Sequence, residues 1–238
     1  MSDWAILFSL TLLTGLSMAG GALIALVEHI SNRWLETELR HSIIAFGGGL
    51  LIAAVALVLI PEGMHKLTIF TVVFCFAGGG LFFMILDRIL ETRKEGTPQL
   101  IAMLLDFIPE VMAVGALYLL DRHYAILLAI LIILQNLPEG FNAFLELRAN
   151  TQLKGWTIIT AFLAMSFIGP IAGLLGYFYL SELPSLTSAV MLFASGGILY
   201  LIFQDIAPQA KLKYHWAPSL GAVAGFLLGM IGKMLIVH

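Results

Sequence analysis

The 238-residue sequence predicts an all-α polytopic membrane protein: eight transmembrane helices in a 3+2+3 inverted repeat, both termini extracytoplasmic. Composition, the spacing of apolar runs and two internal repeats predict it. Hydrophobic residues make up 60% of the chain, charged residues 11%, and mean hydropathy is +0.99; soluble domains carry roughly a quarter charged residues. These proportions exclude a disordered chain and a nucleic-acid binder working through basic patches. The one cysteine, Cys75, has no partner and excludes a disulfide scaffold.

A helix needs about 20 mainly apolar residues to cross the hydrocarbon core. Eight such runs, bounded by charges or turn residues, lie near 5–30, 41–61, 67–89, 98–120, 124–147, 155–180, 185–207 and 216–237. The first follows Met1-Ser2-Asp3-Trp4, which lacks the basic stretch of a cleaved signal, and it is long enough to be a retained span. The connections are short, so 1–238 reads as a single transmembrane domain with no soluble unit.

Orientation follows from the basic residues. Loops after odd-numbered spans hold nine of the twelve: Arg33, Arg40, Arg88, Arg93, Lys94, Arg148, Lys154, Lys211 and Lys213. The other side has three, Lys66, Arg122 and Lys233. The positive-inside rule then places both termini outside.

Sliding the chain on itself by 147 residues aligns Phe46 with Phe193, Gly49 with Gly196 and Pro61 with Pro208, relating the second span to the seventh. Five spans apart, these two run in opposite directions. A shift of 29 aligns Asp106-Phe107-Ile108-Pro109-Glu110 with Gln135-Asn136-Leu137-Pro138-Glu139, on the adjacent and therefore antiparallel fourth and fifth spans. The plan is two inverted repeats, about 1–97 and 150–238, around a central pair at 98–149. Secondary transporters use such plans, with substrate near the midplane at proline-interrupted helices.

A charged carboxylate at the bilayer centre costs about 2.5–3.5 kcal/mol even on lenient scales. Asp106, Glu110 and Glu139 fall well inside their spans, with no intramembrane Arg or Lys nearby in sequence. Asp106 and Glu110 stand at i and i+4, as do Gln135 and Glu139, so each pair shares a helix face. Facing each other, the two helices would bring together three carboxylates and an amide oxygen. Pro109 and Pro138 lack N–H groups and leave the carbonyls of Leu105 and Leu134 without helical partners, adding oxygens suited to a cation. The alternative is protonated carboxyls bonded to a neighbouring helix. Asn136 and Asn142 fit either as ligands or as polar helix–helix contacts. Glu62 and Asp205, beside Pro61 and Pro208, read as stations on the way in and out or as solvated span ends. The six histidines all lie at span ends.

The run Gln135-Asn136-Leu137-Pro138-Glu139-Gly140 resembles the His-Asn-x-Pro-Glu-Gly motif of the ZIP (Zrt-, Irt-like) divalent metal transporters. Ile60-Pro61-Glu62 and Asp205-Ile206-Ala207-Pro208 are similar to the ends of that family's second and seventh spans, so the resemblance covers nearly the whole chain. It implies a binuclear metal site between spans four and five and transport by one bundle sliding against another. Carried over residue by residue, one centre maps to Asp106, Glu110, Gln135 and Glu139, all able to ligate. The other maps to Phe107, Asn136 and Gly169, where a phenyl ring and a glycine offer no side-chain ligand. The histidine-rich loop of the family is reduced to Glu91-Thr92-Arg93-Lys94-Glu95-Gly96-Thr97.

The expected function is therefore inward transport of a divalent cation of the zinc, manganese or iron class, through Asp106, Glu110, Gln135, Asn136 and Glu139. The metal is substrate, and no prosthetic group is expected. Absence of imidazole and thiolate shifts preference towards harder ions, while the intrinsic affinity order still favours zinc. The alternative is a transport-incompetent relative with a structural or regulatory role. An enzyme is not expected: the chain has no mid-span histidine, no His-Glu-x-x-His and no Gly-x-Gly-Asp. The expected partners are the cation and the bilayer of a plasma or inner membrane, with a homodimer as an option and no nucleic acid.

Overall fold

A computed structural model describes residues 3–27, 33–91, 97–212 and 215–237, with side chains at all of these except 33–36, 90–91 and 97–102. Glu28, His29, Arg93, Lys94, Lys213 and His238, and most of the connection between spans three and four, lie outside the described residues, as does the side chain of Arg33.

The described residues are helical almost throughout and contain no strand. Eight helices are long and apolar enough to cross a membrane: α1 (Asp3–Val27), α2 (Thr37–Met64), α3 (Ile69–Ile89), α4 (Met103–Leu120), α5 (Arg122–Asn150), α6 (Gly155–Leu180), α7 (Pro184–Ala210) and α8 (Ala217–Ile236). Each coincides with a span expected from the apolar runs, with bounds shifted by a few residues.

The span expected near 155–180 is α6, broken near its middle, between Met165 and Ile168. Pro170 has no N–H to offer the Ser166 carbonyl, which takes the Gly169 N–H at 3.3 Å instead, tightening the turn. The break lies against α1, where a side chain on Gly15 would strike the Ser166 backbone.

Proline also interrupts α2 and α7, with the opposite local result. Both widen into a π turn just before their prolines, Val55–Leu59 ahead of Pro61 and Ile202–Ile206 ahead of Pro208. Val55 and Ile202 are 147 residues apart, the offset at which the two sequences align. In α2 the Leu57 carbonyl, which Pro61 deprives of its helical donor, accepts from Lys233 Nζ of α8 at 3.0 Å.

Helices pair where glycines let backbones meet. The α2/α8 pair is tight because side chains on Gly49 and Gly225 would strike the Ala222 and Phe46 carbonyls. The α7/α3 pair repeats this with Gly196 and Gly79 against Phe76 and Phe193. The α1/α5 pair closes on Gly21 and Gly140 against Leu137 and Met18, and α6/α4 on Gly176 and Gly115 against Met112 and Gly173. Helices α1, α4, α5 and α6 form one bundle, and α2, α3, α7 and α8 the other. The bundles meet where α2 crosses α5 and α7 crosses α4. Helices α3 and α8 form the outer edges, each with only 11% of its apolar window buried, against 61% for α4 and α5.

Candidate functional site

Packing equivalences set the register of the central pair. The contact of Gly140 with Met18 corresponds to that of Gly115 with Gly173, and the contact of Gly21 with Leu137 to that of Gly176 with Met112. Both comparisons relate α4 to α5 by 25 residues, whereas the sequence motifs align at 29. The polar motifs have thus slipped one helical turn relative to the packing that carries them.

Glu110 and Gln135 are equivalent positions at this register, and they touch: Gln135 Nε2 donates to Glu110 Oε2 at 2.8 Å. One turn away, about 6 Å along the axes, Asp106 of α4 and Glu139 of α5 line a common cavity of about 70 Å³. The four residues form two rungs rather than one closed ring. Glu139 lies close enough to Asp106 and Glu110 for the three carboxyl groups to influence one another. Among the described residues no three His, Cys, Asp or Glu side chains are gathered as a ready metal-holding group, so the amide of Gln135 or backbone oxygens would have to complete any ligand shell.

Burial makes the arrangement costly. Glu110 and Gln135 are each 1% exposed. Glu110 Oε1, Gln135 Oε1 and Glu139 Oε1 are buried with no hydrogen-bond partner. A buried acceptor without a donor costs about 1–3 kcal/mol, more when charged. Asp106 Oδ1 is served by the Phe107 N–H at 2.8 Å.

Asn136 turns away from the rungs. Its Nδ2 donates to the Thr14 carbonyl of α1 at 2.7 Å, tying α5 to the buried Thr11-Thr14-Ser17 stripe. Of its two readings, the helix–helix contact is the one its amide nitrogen makes. Phe107 is 1% exposed. A side chain built on Gly169 would meet the Thr11 carbonyl, with the Phe107 ring 3.2 Å away. The space that a side chain at 169 would take is filled by α1 backbone and a phenyl ring.

Asp205 lines the same cavity as Asp106 and Glu139, while Glu62 lines a separate cavity of about 350 Å³ at the opposite end of the helices. Between the two, the positions equivalent to Asp106, Glu139 and Asp205 on the Glu62 side are Leu131, Val114 and Val58, all 0–1% exposed. Polar groups thus run from the Glu110–Gln135 rung towards one end only.

The sequence did not single out Arg40 or Gln209. Arg40 NH2 donates to Asn142 Oδ1 at 3.0 Å, and Asn142 Nδ2 to Gln209 Oε1 at 2.9 Å. A signal was present, since Gln209 stands at the 147-residue equivalent of Glu62. No protein-family model matches the chain, and no curated protein matches it.

Proposed function

We propose that this protein is a ZIP-like divalent cation transporter of the zinc, manganese or iron class, in a plasma or inner membrane, taking its substrate through the two rungs of α4 and α5. The observation that carries the reading is the set of three buried, unpartnered oxygens at Glu110, Gln135 and Glu139. A cation satisfies acceptor-only oxygens that no donor serves, and oxygen ligands suit hard divalent ions. Depth supports it further, because ionisable groups buried at mid-membrane mark ion pathways by default. The polar run leads to the end of the bundle bearing Arg40 and Arg148, which the positive-inside count makes cytoplasmic, the exit that inward uptake needs.

The test is uptake into proteoliposomes that enclose a metal-sensitive dye, with Mn²⁺, Fe²⁺ and Zn²⁺ offered separately. Saturable entry of at least one, lost in Glu110→Gln and Glu139→Gln, is the expected result. No entry of any of them overturns the proposal. The second reading, a transport-incompetent relative, is favoured by the packed ring of Phe107 at the second centre; it predicts no uptake with the fold intact.

A further inference from the structure

The acid-lined cavity ends at a polar bridge between the bundles. Asn142, 7% exposed, lies on α5 within a turn of Glu139, and both it and Gln209 of α7 line the cavity wall. The 2.9 Å bond between them joins one bundle to the other, and Arg40 of α2 holds the Asn142 carbonyl oxygen from outside at 3.0 Å. Three helices, α2, α5 and α7, are tied at one point. A cavity of about 70 Å³ has room for a few waters. An ion leaving it along α5 meets this bridge first.

One turn beyond Asn142, on the same face of α5, stands Glu146. Its carboxylate feels the charge of Arg40, yet its Oε2 is buried with no hydrogen-bond partner. The Arg40 guanidinium thus has two acceptors within a turn of each other, one occupied and one waiting.

Among the described residues, the opposite end has no such side-chain bridge. At the packing register, the equivalents of Arg40, Asn142 and Gln209 are Thr187, Leu117 and Glu62, and all three line the Glu62 cavity. Leu117 has no polar group, and the Thr187 hydroxyl donates to the backbone carbonyls of Leu183 and of Leu180 at the end of α6, a backbone tie at the α6–α7 turn rather than a side-chain bridge to α4.

We propose that Arg40, Asn142 and Gln209 form a one-sided gate, closed when Arg40 holds Asn142 against Gln209 and opened when the guanidinium moves one turn to Glu146. In the closed state the gate separates Asp106, Glu139 and Asp205 from the end of the bundle. Movement of Arg40 gives the orphaned Glu146 oxygen its donor and frees Asn142 to leave Gln209. The guanidinium also places a positive charge at the closed gate, which repels a departing cation until it swings aside. This role rests on the transport reading, but its test reads access to the cavity and needs no transport.

The experiment uses the full chain with Cys75→Ser and a single reporter, Met103→Cys, in the cavity wall. The rate of reaction with a small cationic methanethiosulfonate is measured in detergent. Asn142→Leu, which keeps the volume and removes both bonds, should speed labelling at least tenfold; Glu146→Gln, which weakens the open station, should slow it several-fold. Circular dichroism and gel filtration verify that each variant is folded. Labelling within twofold of the parent in folded Asn142→Leu, faster labelling in Glu146→Gln, or a reporter unreactive in every folded variant overturns the gate. Absence of uptake by the wild-type protein with these labelling changes intact would instead overturn only the transport reading.

Discussion

Glu139 shows how single groups reveal a site that is unfavourable when empty. Its Oε1 is buried without a donor and its carboxylate shares a neighbourhood with Asp106 and Glu110. Replacing it by Gln removes a charge while keeping the shape. Uptake should fall to background in proteoliposomes. The apo protein should unfold at the same temperature or higher, since functional sites give up stability. Normal transport by this variant would place the ion path elsewhere. Phe107 and Gly169 give a second prediction at this scale. Metal titration should find one cation bound between α4 and α5. Phe107→Asn with Gly169→Glu should not create a second site, because a side chain at 169 runs into the Thr11 carbonyl. Removing a buried phenyl ring costs about 3–5 kcal/mol in soluble cores, so the double variant should show a lower Tm and no added stoichiometry. Two metals in the wild type would refute the packing argument.

At the scale of elements, proline and glycine have separate uses. Pro61, Pro170 and Pro208 interrupt the hydrogen-bond ladders of α2, α6 and α7, giving two π turns and one break. Glycines set how near the helices come. Gly140→Val should push α5 away from the Met18 backbone of α1, because the added atoms have nowhere to go; monodisperse yield and Tm should both fall sharply. Gly78 is the control, with nothing within 4 Å of the place a Cβ would take. Gly78→Ala should be neutral, or stabilising by about 0.5–1 kcal/mol from helix propensity. Equal damage from both would mean that close approach at Gly140 is not what binds α1 to α5.

Across the whole molecule, the two bundles are built to a common plan and loaded differently. Packing repeats at 147 residues for α2 and α7 and at 25 for α4 and α5, yet the acids and amides next to the Glu110–Gln135 rung lie on one side of it. Membrane-impermeant labelling of tags at each end of the chain in whole cells should reach both termini from outside, as nine basic residues against three require. A terminus protected until the cells are opened would invert the proposed direction of uptake. Anomalous scattering from crystals soaked in Mn²⁺ should place one ion between the Glu110–Gln135 and Asp106–Glu139 rungs, with its oxygen ligands at about 2.0–2.6 Å.

Sequence alone determined the class and the parts. Apolar run length gave eight spans, because a helix without water must satisfy its own backbone and must be long enough to cross. Shared helix faces at i and i+4 gave the pairs Asp106/Glu110 and Gln135/Glu139, because side-chain direction is fixed by helical period. The broken α6 was also within reach, through the Gly169-Pro170 pair and the carbonyl that Pro170 leaves behind. Tertiary structure decided what each part faces. Motif alignment at 29 residues says nothing of how α4 and α5 slide along each other. Close backbone approach at Gly115 and Gly140 sets the packing at 25, so the Glu110–Gln135 rung falls at the centre and the Asp106–Glu139 rung to one side of it. Asn136 and Asn142 look alike in sequence, yet one binds the Thr14 carbonyl of α1 and the other joins Arg40 to Gln209. Those partners lie 122, 102 and 67 residues away, and no local pattern encodes contacts made only when separate helices meet.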